Sequence, residues 1–140
     1  HIEPISVAED LSSLSAILMD DEYYSFTIEH SMNLDEIHIA SPEALICLKA
    51  KAYVEMIDRK NGGEQVDSRD IEKHKKDIFR LVAMLPQNAH FDLPEKLRQD
   101  DTSFVETVGD LPNQDCFKSS GLRGLNAPLL MELLQKAFIE

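Results

Sequence analysis

Between residues 41 and 82 the apolar positions fall into two helical runs, separated by Asn61-Gly62-Gly63. In the first run Leu45, Leu48, Ala52, Tyr53, Met56 and Ile57 fill most of a wheel drawn at ~100° per residue. Ser41-Pro42-Glu43 supplies a cap residue, a proline at the first helical position and an acid in the first turn. The pattern therefore predicts a helix over 41–60, stopped by Gly62-Gly63. In the second run Ile71, Ile78, Leu81, Val82 and Leu85 form the stripe. Asp67 or Ser68 caps it, and Pro86 closes it, which predicts a helix over 67–85. A connection of about six residues makes the two helices antiparallel neighbours.

The pattern is weaker on either side. Pro4 disfavours helix at the residue before it, so residues 1–10 read as extended or loop. Residues 12–19 fit either a buried strand or a helical turn after a serine cap. Asp20-Asp21-Glu22, followed by Tyr23, Tyr24, Phe26 and Ile28, reads as a short helix with its acids in the first turn. Leu34 to Ile39 alternates and reads as a strand. Leu97, Phe104 and Val108 mark a third helix over 94–108. Residues 113–126 read as a turn and loop. Leu129, Leu130, Leu133, Leu134, Ala137 and Phe138 mark a closing amphipathic helix over 127–139. The fold class that follows is α+β but mostly α: a short strand or hairpin near the N-terminus (residues 1–40), then a helical bundle (residues 41–140), packed as one continuous body.

Charges interrupt this pattern at two places. On the first helix Lys51, Glu55 and Asp58 share one side, which reads as the solvated face, with a Lys51–Glu55 pair four residues apart. Lys49 falls near the middle of the apolar sector instead. A lysine there snorkels on its stem, pairs with a carboxylate, or faces a cleft that takes an anion such as phosphate. On the second helix Asp70, His74 and Asp77 run at i, i+4 and i+7. They fit a metal or a phosphate-binding lysine, or simply an acidic edge balanced by Lys73, Lys75, Lys76 and Arg80. Asp77 matches Lys49 in depth from the connecting loop, and Asp70 is its rival as a partner.

Composition narrows the classes. The 140 residues are 43% hydrophobic, enough for a real core. A net charge of −12 argues against a nucleic-acid surface over the whole body, though not against a local basic patch. No apolar run approaches the ~20 residues that span a bilayer, and no secretory leader opens the chain. Cys47 and Cys116 form no ligand or redox motif and read as reduced thiols of a cytoplasmic protein. The opening His1-Ile2-Glu3-Pro4-Ile5 reads as the interior of a longer polypeptide.

Several stretches together resemble a known family. They are Ser13-Leu14-Ser15-Ala16-Ile17-Leu18, Asp20-Asp21-Glu22-Tyr23-Tyr24, Leu45-Ile46-Cys47-Leu48-Lys49-Ala50-Lys51-Ala52, Asp58-Arg59-Lys60 and the run from Val66 to Leu81. Residues 1–85 resemble the C-terminal part of the nucleotidyltransferase-like AbiEii/AbiGii toxin family, of the polymerase-β-like superfamily. The resemblance implies an enzyme of toxin–antitoxin type that moves a nucleotidyl group from a nucleoside triphosphate (NTP) to an RNA or protein acceptor. It implies Mg²⁺ in the full-length parent and an antitoxin protein as a possible partner. It makes Lys49 the triphosphate contact, with Arg59 a further anion contact. Asp70 supports the site or positions the acceptor, and Asp77 is the rival for that role. Residues 1–40 become the remnant of the α/β nucleotidyltransferase core.

The chain departs from the family at the metal site. No Gly-Ser turn followed by a D-x-D strand occurs in it, and Glu3, just before Pro4, suits the third acid poorly. Two Mg²⁺ ions need such hard oxygen ligands. The reading is therefore of half an active site, inactive alone, with no metal or cofactor of its own. The competing reading is an acidic helical interaction module without catalytic activity. A metal-dependent hydrolase built on the Asp70/His74/Asp77 row is a third.

Overall fold

The computed structural model describes residues 16–34, 37–108 and 127–140, with the backbone alone given for the strands between 32 and 39. The described chain is mostly helical. Helix α1 spans Asp21–Glu29, α2 Pro42–Asn61, α3 Ser68–Val82, α4 Glu95–Thr107 and α5 Ala127–Phe138. Among the described residues no helix is long and apolar enough to cross a membrane.

Sequence signals explain most of the helix ends. Asp20 caps α1 through its carboxylate, which accepts from the backbone N–H of Glu22 at 2.9 Å and Tyr23 at 3.3 Å. Asp67 caps α3 by accepting from the N–H of Arg69 at 2.9 Å. At the end of α2, the N–H of Glu64 reaches the Arg59 carbonyl at 3.0 Å and that of Gly63 the Lys60 carbonyl at 3.1 Å. This is a Schellman closure, and it sets Gly63 at φ +96°. Ser41 stands at the cap position of α2 but makes no side-chain cap bond. Its hydroxyl donates instead to the His30 carbonyl, which also accepts the Ser41 N–H at 2.8 Å.

The single strand expected over 34–39 is not seen. Ser31–Leu34 pairs antiparallel with Ile37–Ala40, Leu34 opposite Ile37, so the chain reverses inside the alternating run. Alternation carries through such a reversal without a break and gives no sign of it. The helix expected to reach Leu85 stops at Val82, and turns follow as far as Leu85. Readings that rested on residues 1–15 and 113–126, and on Cys116, lie outside the described residues.

Helix α2 is the hub. It packs most extensively on α3, then on α4, and also on α1. Burial on several sides explains its low amphipathicity: Ala44, Ile46, Cys47, Leu48, Ala50, Ala52, Tyr53 and Met56 are all buried. The core continues through Ile78, Phe79 and Val82 of α3, Leu97 and Phe104 of α4, and Leu130, Leu134 and Phe138 of α5. Each such side chain contributes about 1.5–3 kcal/mol through burial. Tyr53 and Phe104 meet edge to face at 5.1 Å, and the Tyr53 hydroxyl donates to the Val108 carbonyl at 3.2 Å. Phe91 ties the 83–94 connection to α5, stacking on Phe138 and donating its N–H to the Ala137 carbonyl at 2.8 Å.

Candidate functional site

The residues singled out in the sequence fall into two places. The first is the α2–α3 interface. Lys49 Nζ donates to Asp77 Oδ2 at 3.1 Å, with the side chains 12% and 22% exposed. Each lies about three turns from the connecting loop, as an antiparallel pair requires. Arg80 approaches the other oxygen of Asp77 at 3.6 Å. The Asp77 carboxylate thus lies between two cations. Of the three fates open to Lys49, pairing with a carboxylate is the one observed.

The second place is a cleft of about 420 Å³ beside the α2–α3 loop, which Arg59 and Asp70 line together. Ala52 and Met56 form apolar wall, and Glu55, Glu64 and Asp67 add carboxylates. The Arg69 guanidinium beside Asp67 holds its carboxyl below the usual range. Arg59 therefore shares the cleft with four carboxylates, which weakens it as a contact for a phosphate. Lys49 and Asp77 do not line this cleft, so the four residues do not form one site.

The Asp70/His74/Asp77 row does not converge either. Asp70 lines the cleft, Asp77 pairs with Lys49, and His74 is fully buried. Among the described residues no group of three His, Cys, Asp or Glu side chains is arranged to hold a metal ion. A hydrolase built on this row has no described ligand set.

Lys51 also differs from its reading as a solvated residue. It is 24% exposed and bridges Glu55 at 3.7 Å and Asp100 of α4 at 3.6 Å. Behind it lies a cluster that the sequence reading passed over. The Tyr23 hydroxyl donates to Asp100 Oδ2 at 2.5 Å, and the Cys47 thiol donates to Asp101 Oδ2 at 3.5 Å. Asp101 is 1% exposed, and its Oδ1 has no hydrogen-bond partner among the described residues. Burial, with the Asp100 charge adding to it, pushes the Asp101 carboxyl up to about 8 despite the thiol contact. Burial and the same carboxylates raise the Cys47 thiol and the Tyr23 phenol well above their ordinary values. The signal was available: Leu97, Asp101, Phe104 and Val108 share one stripe at helical spacing, and only Asp101 is polar.

Comparison with family models, with curated proteins and with solved structures gives no significant match.

Proposed function

We propose that the chain is the helical C-terminal portion of a metal-dependent nucleotidyltransferase of toxin–antitoxin type, a cytoplasmic enzyme acting from NTP to an RNA or protein acceptor. The observation that carries this reading is the meeting of Lys49 and Asp77 at 3.1 Å across α2 and α3. Both residues belong to the run that resembles the family, and both were candidates for its later motifs. On this reading the lysine neutralises triphosphate charge, and Asp77 positions its ammonium rather than touching substrate. Asp70, in the cleft with Arg59, is left to the acceptor side. The antiparallel ribbon Ser31–Ala40 is then the last piece of the α/β core. On this reading the chain contributes phosphate charge and positioning, and the Mg²⁺ ligands belong to the rest of the parent polypeptide.

A second reading, the acidic interaction module, draws on the net charge of −12 and on the acidic lining around Arg59. It predicts a basic protein partner whose binding ignores Lys49→Ala. The transferase reading predicts that Lys49→Ala and Asp77→Ala in the parent polypeptide each cut labelling of RNA by radioactive triphosphate at least about a hundredfold. It also predicts that the 140-residue chain alone labels nothing. Labelling by both variants at the parental rate overturns it.

A further inference from the structure

Helix α1 and the connection from α3 to α4 enclose a groove of about 440 Å³. Its floor is apolar, built by Phe26 of α1 with Leu93 and Pro94 of the connection. Its rim is acidic: Asp21, Glu22 and Glu29 stand along α1, and Asp92 stands on the connection. All four acids are exposed, and no lysine or arginine lines the groove. Apolar surface continues from it onto the outer face of α1, where Tyr24 and Ile28 are 55% and 41% exposed. Ile28 lies at i+3 from Ser25 and i+7 from Asp21, both groove residues, so it shares their side of the helix.

Elsewhere the protein pairs many of its carboxylates. Asp20 holds Lys96, Glu43 holds His30, Asp77 holds Lys49 and Asp100 holds Lys51. The four rim acids make no ion pair among the described residues, although Lys96, on Asp20, lies within the field of Glu22. Asp21 and Glu22 suit the first turn of α1, but Glu29 closes the helix at the negative end of its dipole, and no basic residue stands in that last turn. A cation beside Glu29 and Asp92 offsets both charges. Floor and rim suit the two halves of one side chain: a lysine or arginine lays its aliphatic stem on apolar surface and carries its charge to the edge. A small polar cation leaves the floor uncovered. A nucleic acid, or a second copy of this chain with its net charge of −12, is repelled by the rim.

We propose that the groove between α1 and the 83–94 connection docks a basic, amphipathic segment of a protein partner. Its lysine or arginine stems lie on Phe26, Leu93 and Pro94, their charges sit among the rim carboxylates, and its apolar residues cover Tyr24 and Ile28. The proposal rests on the interaction-module reading and deepens it by naming the surface. A basic partner that binds elsewhere on the chain overturns the groove and leaves that reading standing.

The isotope-labelled 140-residue chain is titrated with a helical peptide of about 16 residues, one face leucine and the other lysine, long enough to pass all of α1. Backbone amide shifts are expected to move at Ser25, Glu29 and Leu93, and not at Glu64 beside the Arg59 cleft. Glu22→Gln with Glu29→Gln and Asp92→Asn lowers affinity at least about tenfold. Glu64→Gln with Glu106→Gln and Glu132→Gln removes the same charge at exposed positions off the groove and changes affinity less than about threefold. Ile28→Ser lowers it about three- to tenfold. Circular dichroism confirms the helix content of each variant. The proposal is overturned if the peptide does not bind at 50 mM salt, a level of about that order being where exposed charges are least screened, or if it shifts amides away from the groove. It is overturned equally if the two triple variants lose affinity alike, or if a lysine–serine peptide of equal charge binds as tightly. Self-association of the chain that the groove variant abolishes, read by sedimentation, makes the occupant a second copy and overturns it too.

Discussion

The Lys49 ammonium and the Asp77 carboxylate meet at 3.1 Å between α2 and α3, and both side chains are mostly covered. The pair locks the two helices in register three turns from their loop. Its partners are not equivalent, because Asp77 also faces Arg80 at 3.6 Å. Removing the acid leaves Lys49 with a covered charge and no acceptor among the described residues, while removing the lysine leaves Asp77 with Arg80. Asp77→Ala is expected to destabilise by about 2–3 kcal/mol and Lys49→Ala by about 1–2 kcal/mol. Urea unfolding of both single variants and the double variant gives the coupling, and a value near zero contradicts the register role.

Asp101 makes stability depend on pH in the direction opposite to an ordinary paired aspartate. Its folded value of about 8 lies above the ordinary aspartate value of 3.8, so the folded state holds the proton more tightly. The stability it allows is fully present below the unfolded value and is lost as pH rises towards about 8. Asp101→Asn keeps the shape and removes the titration. The variant is expected to match the parent near pH 4 and to exceed it by on the order of 1–3 kcal/mol at pH 8. Equal stability of the two proteins across that range, measured by chemical denaturation, refutes the assignment.

The two glycines of the α2–α3 loop differ sharply. Gly63 has φ +96°, and a Cβ there meets nothing within 4 Å, so the cost of Gly63→Ala is purely conformational, about 1 kcal/mol. Gly62 has φ −82°, and its added Cβ makes ordinary contact with the Asp58 carbonyl at 3.4 Å. Gly62→Ala is therefore expected to be neutral or slightly stabilising. Thermal melts of the two variants read the contrast directly, and a larger loss at Gly62 than at Gly63 contradicts the Schellman assignment.

Phe104 joins α4 to both α2 and α3, with its ring 5.1 Å from Tyr53 and 6.3 Å from Phe79. Phe104→Ala is expected to cost about 3–5 kcal/mol. A loss below 1 kcal/mol in urea unfolding indicates that α4 does not dock on α2 in this way.

How much of this was legible in the sequence depends on whether the signal was local. Caps, breakers and apolar period are local, and they placed α2, α3, α4 and α5 to within a few residues. The wheel also separated Lys49 from Lys51, because it assigns each residue its side of one helix. It could not say what covers that side. Lys51 looked solvated until Asp100 of α4 arrived next to it. The ribbon failed for a related reason, since its reversal lies in pairing between strands and not in the period. The contact of Lys49 with Asp77 was anticipated from depth along a hairpin. The separation of Arg59 and Asp70 from that pair was not, because it depends on the rotation of α3 about its own axis.

The buried carboxyl of Asp101 has a thermodynamic consequence beyond the strength of the fold. Near pH 6 the unfolded chain carries this group as an anion, and the folded chain carries it as an acid. Folding then draws about one proton from the buffer at this site. The heat of unfolding recorded for this protein will accordingly change with the ionisation enthalpy of the buffer, and Asp101→Asn will remove that dependence.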